Sequence, residues 1–204
     1  MQRATPVVLN LIIINVLVWV AQLIGDKTPL ELSNILAMYP YDSGLFKPYQ
    51  LITHMFAHAS YDMGGNIVIF HILFNMYGLW MFGSALERVW GPKRFLIFYI
   101  SCGLGAAVAQ LFLANTAIVG ASGAIMGLLA GFAYLFPNTE FFLFPLPFPI
   151  KAKYMVAIYA AIDLFGGMHP GKADNVAHFA HLGGLAMGFI LVIIWNKSNR
   201  KTFY

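Results

Sequence analysis

Gly120-Ala121-Ser122-Gly123 opens the fourth apolar stretch of the chain, and two histidines, His178 and His181, lie near the start of the sixth. A serine hydroxyl and an imidazole suggest nucleophilic acyl transfer, in which the base takes the hydroxyl proton and later delivers it to the leaving group. Ser122 is expected in the first turn of a helix. There backbone N–H groups lack intrahelical partners and the positive end of the helix dipole faces outward, a setting that stabilises a developing oxyanion. His71 and Asn75 stand at i and i+4, so they share a helix face, and both carry donors that an oxyanion can use. Each feature also has a plainer reading. Gly123, Gly127 and Gly131 recur every four residues as a close-packing seam does, and His or Asn inside a membrane often bridges helices. His178, one turn before His181, reads as structural.

The elements that must position these residues are membrane helices. Of 204 residues, 60% are hydrophobic and 10% charged, against roughly a quarter charged in soluble domains. Such a chain cannot dress a water-facing surface. Six apolar segments are expected, at 7–23, 65–82, 95–113, 122–136, 150–165 and 176–195. The fourth and fifth are short for a bilayer of about 30 Å, as a helix that starts below the surface is. Gly184 and Gly188 make a second small-residue face one turn beyond His181, so packing the two glycine seams together brings His181 toward Ser122.

Charge placement orients the bundle. Arg3, Arg88, Lys93, Arg94, Lys151, Lys153, Lys197, Arg200 and Lys201 fall on the side of the termini, against Lys27, Lys47 and Lys172 on the other. The excess predicts both termini in the cytoplasm. The basic residues form no single patch, which argues against nucleic acid. The outer loop 24–64 is too apolar and aromatic for a solvated linker and is expected in the interface; the inner loop 137–149, rich in Pro and Phe, reads as an irregular connector. The single cysteine, Cys102, excludes an intrachain disulfide.

Taken in order, His71 with Asn75, Gly120 to Gly123, and His181 followed by Gly184 and Gly188 resemble the rhomboid family of intramembrane serine proteases, six-helix bacterial type. Leu51-Ile52-Thr53-His54-Met55-Phe56-Ala57-His58 and Gly83 to Glu87 extend the likeness to nearly the whole chain, 1–204, as one rhomboid-like domain. Tyr49-Gln50 replaces the Trp-Arg pair that many relatives carry. The resemblance implies an all-α membrane bundle in the bacterial plasma membrane. It also implies Ser122 as nucleophile with His181 as base, an oxyanion held by His71, Asn75 and the Ser122 N–H, and membrane-spanning protein substrates reached from the lipid bilayer and cut near the outer face. No nucleotide, metal or organic cofactor is implied.

Alternatives come from other classes. His54-x-x-x-His58 and His178-x-x-His181 have zinc-ligand spacings but no accompanying acid; an inactive client-binding relative would lack the serine or the histidine; a six-span channel or transporter would more often show internal repeats. Two further expectations concern the fifth segment. Asp163 is taken as an interfacial hydrogen-bonding residue rather than the third member of a triad, and 165–175, with Gly166, Gly167 and Gly171, as a mobile cap beside a loosely held gate helix. Glu87 is expected to tie down the cytoplasmic ends of the bundle.

Overall fold

A computed structural model describes residues 3–62, 64–142, 148–169 and 176–200, with side chains as far as Asn196. Its elements are α1 (Pro6–Gly25), α2 (Leu32–Leu36), α3 (Gln50–Thr53), α4 (Ile69–Gly78), a π-helical turn (Leu79–Gly83) leading into α5 (Ser84–Trp90), α6 (Pro92–Leu113), α7 (Ser122–Leu135), β1 (Glu140–Phe142), β2 (Pro149–Lys151), α8 (Ala152–Met168) and α9 (His178–Arg200). Pro6 and Pro92 stand at the first helical position of α1 and α6, where a missing N–H costs nothing.

Among the described residues four helices are long and apolar enough to cross a membrane: Pro6–Gly25, Ile69–Trp90, Pro92–Leu113 and His178–Asn196. The protein is thus an integral, multi-pass membrane protein. α1 turns Leu9, Ile13, Leu17, Val20 and Ile24 outward, an apolar face that only lipid covers without cost. The second expected segment differs at both ends. Asn66–Val68 pairs with Ser60–Asp62 instead of joining the helix, through Val68 N–H to Ser60 O (2.9 Å) and Asp62 N–H to Asn66 O (2.9 Å). The helix then runs past Phe82 to Trp90 through the π turn.

α7 is the central element: ten of its 14 residues are buried, so its walls are other helices rather than lipid and it need not span the bilayer. Its glycines allow the contact. A methyl at Gly184 would meet Gly123 O at 1.8 Å, and one at Gly188 would meet Gly127 O at 2.4 Å, so α7 and α9 touch backbone to backbone. Gly131 belongs to a different contact from the one expected, lying under the rings of Phe98 and Trp90. α6 closes the third side, where a methyl at Gly183 would lie 2.6 Å from Gly105 O.

Hydrogen bonds, not interfacial immersion alone, shape the outer loop. Gln22 of α1 clamps the His58 backbone from both sides: its Nε2 donates to His58 O (3.0 Å) and its Oε1 accepts from His58 N–H (3.0 Å). Asp26 accepts from Ser33 N–H (2.7 Å) and from the hydroxyls of Ser33 and Ser60 (both 2.5 Å). Gln50 accepts from Lys47 N–H (3.0 Å) and donates to Leu45 O (3.3 Å). On the opposite side Glu87 caps α1, accepting from the Thr5 hydroxyl and from Val7 and Val8 N–H (3.0 Å each). The inner connector is not wholly irregular, since β1 pairs antiparallel with β2 in the register Glu140 to Lys151.

Candidate active site

Ser122 is the first residue of α7, so its N–H and those of Gly123 and Ala124 have no carbonyl partner within the helix. The residue before the turn sets this up. Gly120 has φ +121°, which side chains rarely adopt, and its N–H is held by His54 O (2.8 Å). The space that a methyl at Gly120 would fill lies 2.9 Å from His71 Nε2 and 3.9 Å from Ser122 N. Gly120 therefore leaves open a small volume flanked by two hydrogen-bond donors.

The glycine contact between α7 and α9 brings His181 Nε2 to 2.8 Å from Ser122 Oγ. The imidazole side chain is 18% exposed. His71 accepts the Ala59 N–H on Nδ1 (3.1 Å), so the neutral ring carries its proton on Nε2, the nitrogen that faces Gly120. His58 packs its ring edge-on to His71, 5.2 Å between centroids, with Nε2 at 2.9 Å from Asn15 Oδ1. Asn75 is near but turned back: its Nδ2 donates to His71 O (2.8 Å), and its buried Oδ1 finds no partner among the described residues. One amide hydrogen is left to point elsewhere.

The expectation for Asp163 is corrected. Its Oδ1 lies 3.0 Å from His181 Nδ1 and 2.7 Å from His178 Nδ1, so a buried carboxylate does reach the histidine beside Ser122. It was visible as the one acid in the outer half of an apolar segment, a placement that marks function by default. What the sequence does not give is the rotation of α8 that points Asp163 inward. Gly166 and Gly167 are also not hinges: they lie inside α8, where methyls would meet His178 Nε2 at 2.4 Å and Phe179 Cζ at 3.1 Å. Gly171, with the rest of 170–175, lies outside the described residues. A cleft of about 550 Å³ opens beside this contact, lined by Ala161, Ile162, Phe165, Gly166, His169 and His178.

The two histidine pairs with zinc-like spacing are otherwise engaged. His54 Nδ1 lies 2.8 Å from Gln50 O, His58 is bonded to Asn15, and His178 and His181 share one carboxylate oxygen. Asn15 and Gln22, which support His58 from α1, escape a sequence reading because amides in a first helix carry no motif.

Such a bundle, with a serine–histidine contact at the head of a short enclosed helix, defines a class of polytopic membrane protein built around an intramembrane polar site. The rhomboid domain family matches residues 46–198, and the chain belongs to the rhomboid family. Rhomboid protein 1, mitochondrial, of Saccharomyces cerevisiae is 34% identical over 127 residues, 59% of this chain and 36% of that protein. Rhomboid protease GluP of Bacillus subtilis is 35% identical over 125 residues, 61% of this chain and 23% of that one. Rhomboid protease GlpG of Salmonella choleraesuis is 26% identical over 205 residues, 98% of this chain and 67% of that one. The chain spans less than half the length of the yeast and Bacillus relatives.

Proposed function

We propose that this protein is an intramembrane serine endopeptidase that cuts membrane-spanning substrates near the outer face by a Ser122–His181 pair. The observation that carries the reading is the 2.8 Å contact between His181 Nε2 and Ser122 Oγ at the unpaired N-terminus of α7. Ser122 attacks the scissile carbonyl while His181 takes its proton; the oxyanion settles in the volume that Gly120 leaves open, against His71 Nε2–H and the Ser122 N–H, with Asn75 alongside. Collapse of the tetrahedral intermediate transfers the proton to the leaving amine, and water then hydrolyses the acyl-enzyme with the same base. The relatives named as proteases support the class of reaction. In this reading six helices span the membrane, with both termini in the cytoplasm, and the substrate enters sideways from lipid.

The test is purified protein in proteoliposomes with a model single-span substrate, together with fluorophosphonate labelling read by peptide mass spectrometry. Cleavage and labelling at Ser122, both lost in Ser122→Ala, are expected. A folded protein that neither cleaves nor labels would leave a client-binding membrane protein as the better description.

A further inference from the structure

α8 is the least embedded long element around the site. Of its 17 residues only Ala152, Met155 and Asp163 are buried, the first two at its inner end. Ile158, Tyr159, Ile162, Leu164 and Phe165 face outward. In its outer half, then, one buried side chain reaches the bundle, and its carboxylate oxygen contacts His181 and His178 together.

That geometry fixes protons as well as helices. A carboxylate only accepts hydrogen bonds, so both histidines must present Nδ1–H to the shared oxygen. For His181 this leaves Nε2 bare, facing the Ser122 hydroxyl at 2.8 Å. The opposite tautomer would place a proton on Nε2 and leave no lone pair to receive the one on Ser122. We propose that Asp163 is a positioning residue that holds His181 in the base-competent tautomer, with His178 as its second anchor, so that docking of α8 is a condition for an active base. The proposal deepens the serine protease reading and rests on it. When α8 swings out to admit a substrate, Asp163 leaves with it and His181 loses its orientation; when α8 returns, the base is restored. Entry and chemistry thus alternate.

The experiment uses the full chain labelled with ¹⁵N-histidine in bicelles at alkaline pH, with His181 assigned from the His181→Ala spectrum. In the wild type the His181 Nδ1 should carry the proton and Nε2 none. Asp163→Ala should release that tautomer and slow fluorophosphonate labelling of Ser122 on the order of 10²-fold, with a matching fall in kcat for a membrane substrate beyond any shift in KM. Asp163→Asn, which retains an acceptor oxygen, should recover part of both. A wild-type His181 protonated on Nε2 overturns the proposal, whatever becomes of the variants. So does an unchanged labelling rate in Asp163→Ala, since a carboxylate that merely latches α8 would alter KM for the membrane substrate and leave a small soluble probe unaffected. Wild-type protein with the Nδ1–H tautomer but no labelling or cleavage instead overturns the protease reading and reduces Asp163 to a latch.

Discussion

Ser122 and His181 touch through one hydrogen bond, and neither has a use in the proposed reaction without the other. Ser122→Ala and His181→Ala should each abolish cleavage, and the double variant should be no worse than either single one, because groups that act as a unit are not additive. Additive losses in kcat/KM would separate their roles. Asn75 offers a finer test. Removing one oxyanion donor typically costs about 10²–10³ in turnover, and Asn75→Ala also removes a buried carbonyl oxygen without a partner among the described residues, so kcat should fall while the thermal midpoint holds. A lower midpoint with intact activity per folded molecule would make Asn75 a structural bridge. At this scale the sequence discloses side chains whose chemistry is unusual inside a membrane: Ser122, His181 and His71 are legible from type and spacing. The Asp163 contact is not, because it depends on how α8 is rotated against α9, which apolar patterning of a lipid-facing helix leaves undetermined.

Between elements, the α7–α9 contact decides the distance from Ser122 to His181. Ala has a higher helix propensity than Gly by about 1 kcal/mol, so Gly184→Ala would stabilise a free helix. Here the new methyl meets Gly123 O at 1.8 Å, and overpacking of this kind costs about 1–3 kcal/mol. Gly184→Ala should therefore lower the midpoint and the labelling rate of Ser122 together, and a rise in stability would mean that the two backbones do not touch. α8 makes the opposite kind of contact. Phe165 is 69% exposed and, among the described residues, stacks only on His169, so Phe165→Ala should preserve cleavage of a membrane substrate, whereas a crosslink tethering α8 to α4 should block it. Full activity with that crosslink formed would place substrate entry elsewhere. Helix existence and order were legible because long apolar runs admit few other structures. The ends were less so: 66–68 pairs with 60–62 as a short hairpin, a local hydrogen-bonding choice that hydropathy does not register.

Across the whole molecule, the outer loop couples stability to pH. Burial pushes the His54 imidazole down to about 4 and that of His58 to about 3, from an ordinary 6.5. Both are neutral when folded, so their contribution is fully present above the unfolded value and is lost as pH falls from 6.5 toward the folded values, by up to about 1.4 kcal/mol per unit for each histidine. The thermal midpoint in detergent should drop across that window, and more gently in His58→Gln. A midpoint that is flat between neutral pH and pH 4 would show these rings to be hydrated. Membrane residence and helix order could be read from composition, but the internal architecture of the outer loop could not, because it rests on scattered polar pairs. Those pairs reach beyond the segment that the rhomboid domain matches. The match to the rhomboid domain begins at residue 46, yet Glu87 takes its three donors from Thr5, Val7 and Val8, and His58 is clamped by Gln22 and Asn15. A chain cut at residue 46 would strand a buried carboxylate and leave unsatisfied amide and imidazole groups where water is scarce. What could be transplanted as a working part is thus larger than the matched domain, and α1, which carries no reacting group, travels with it.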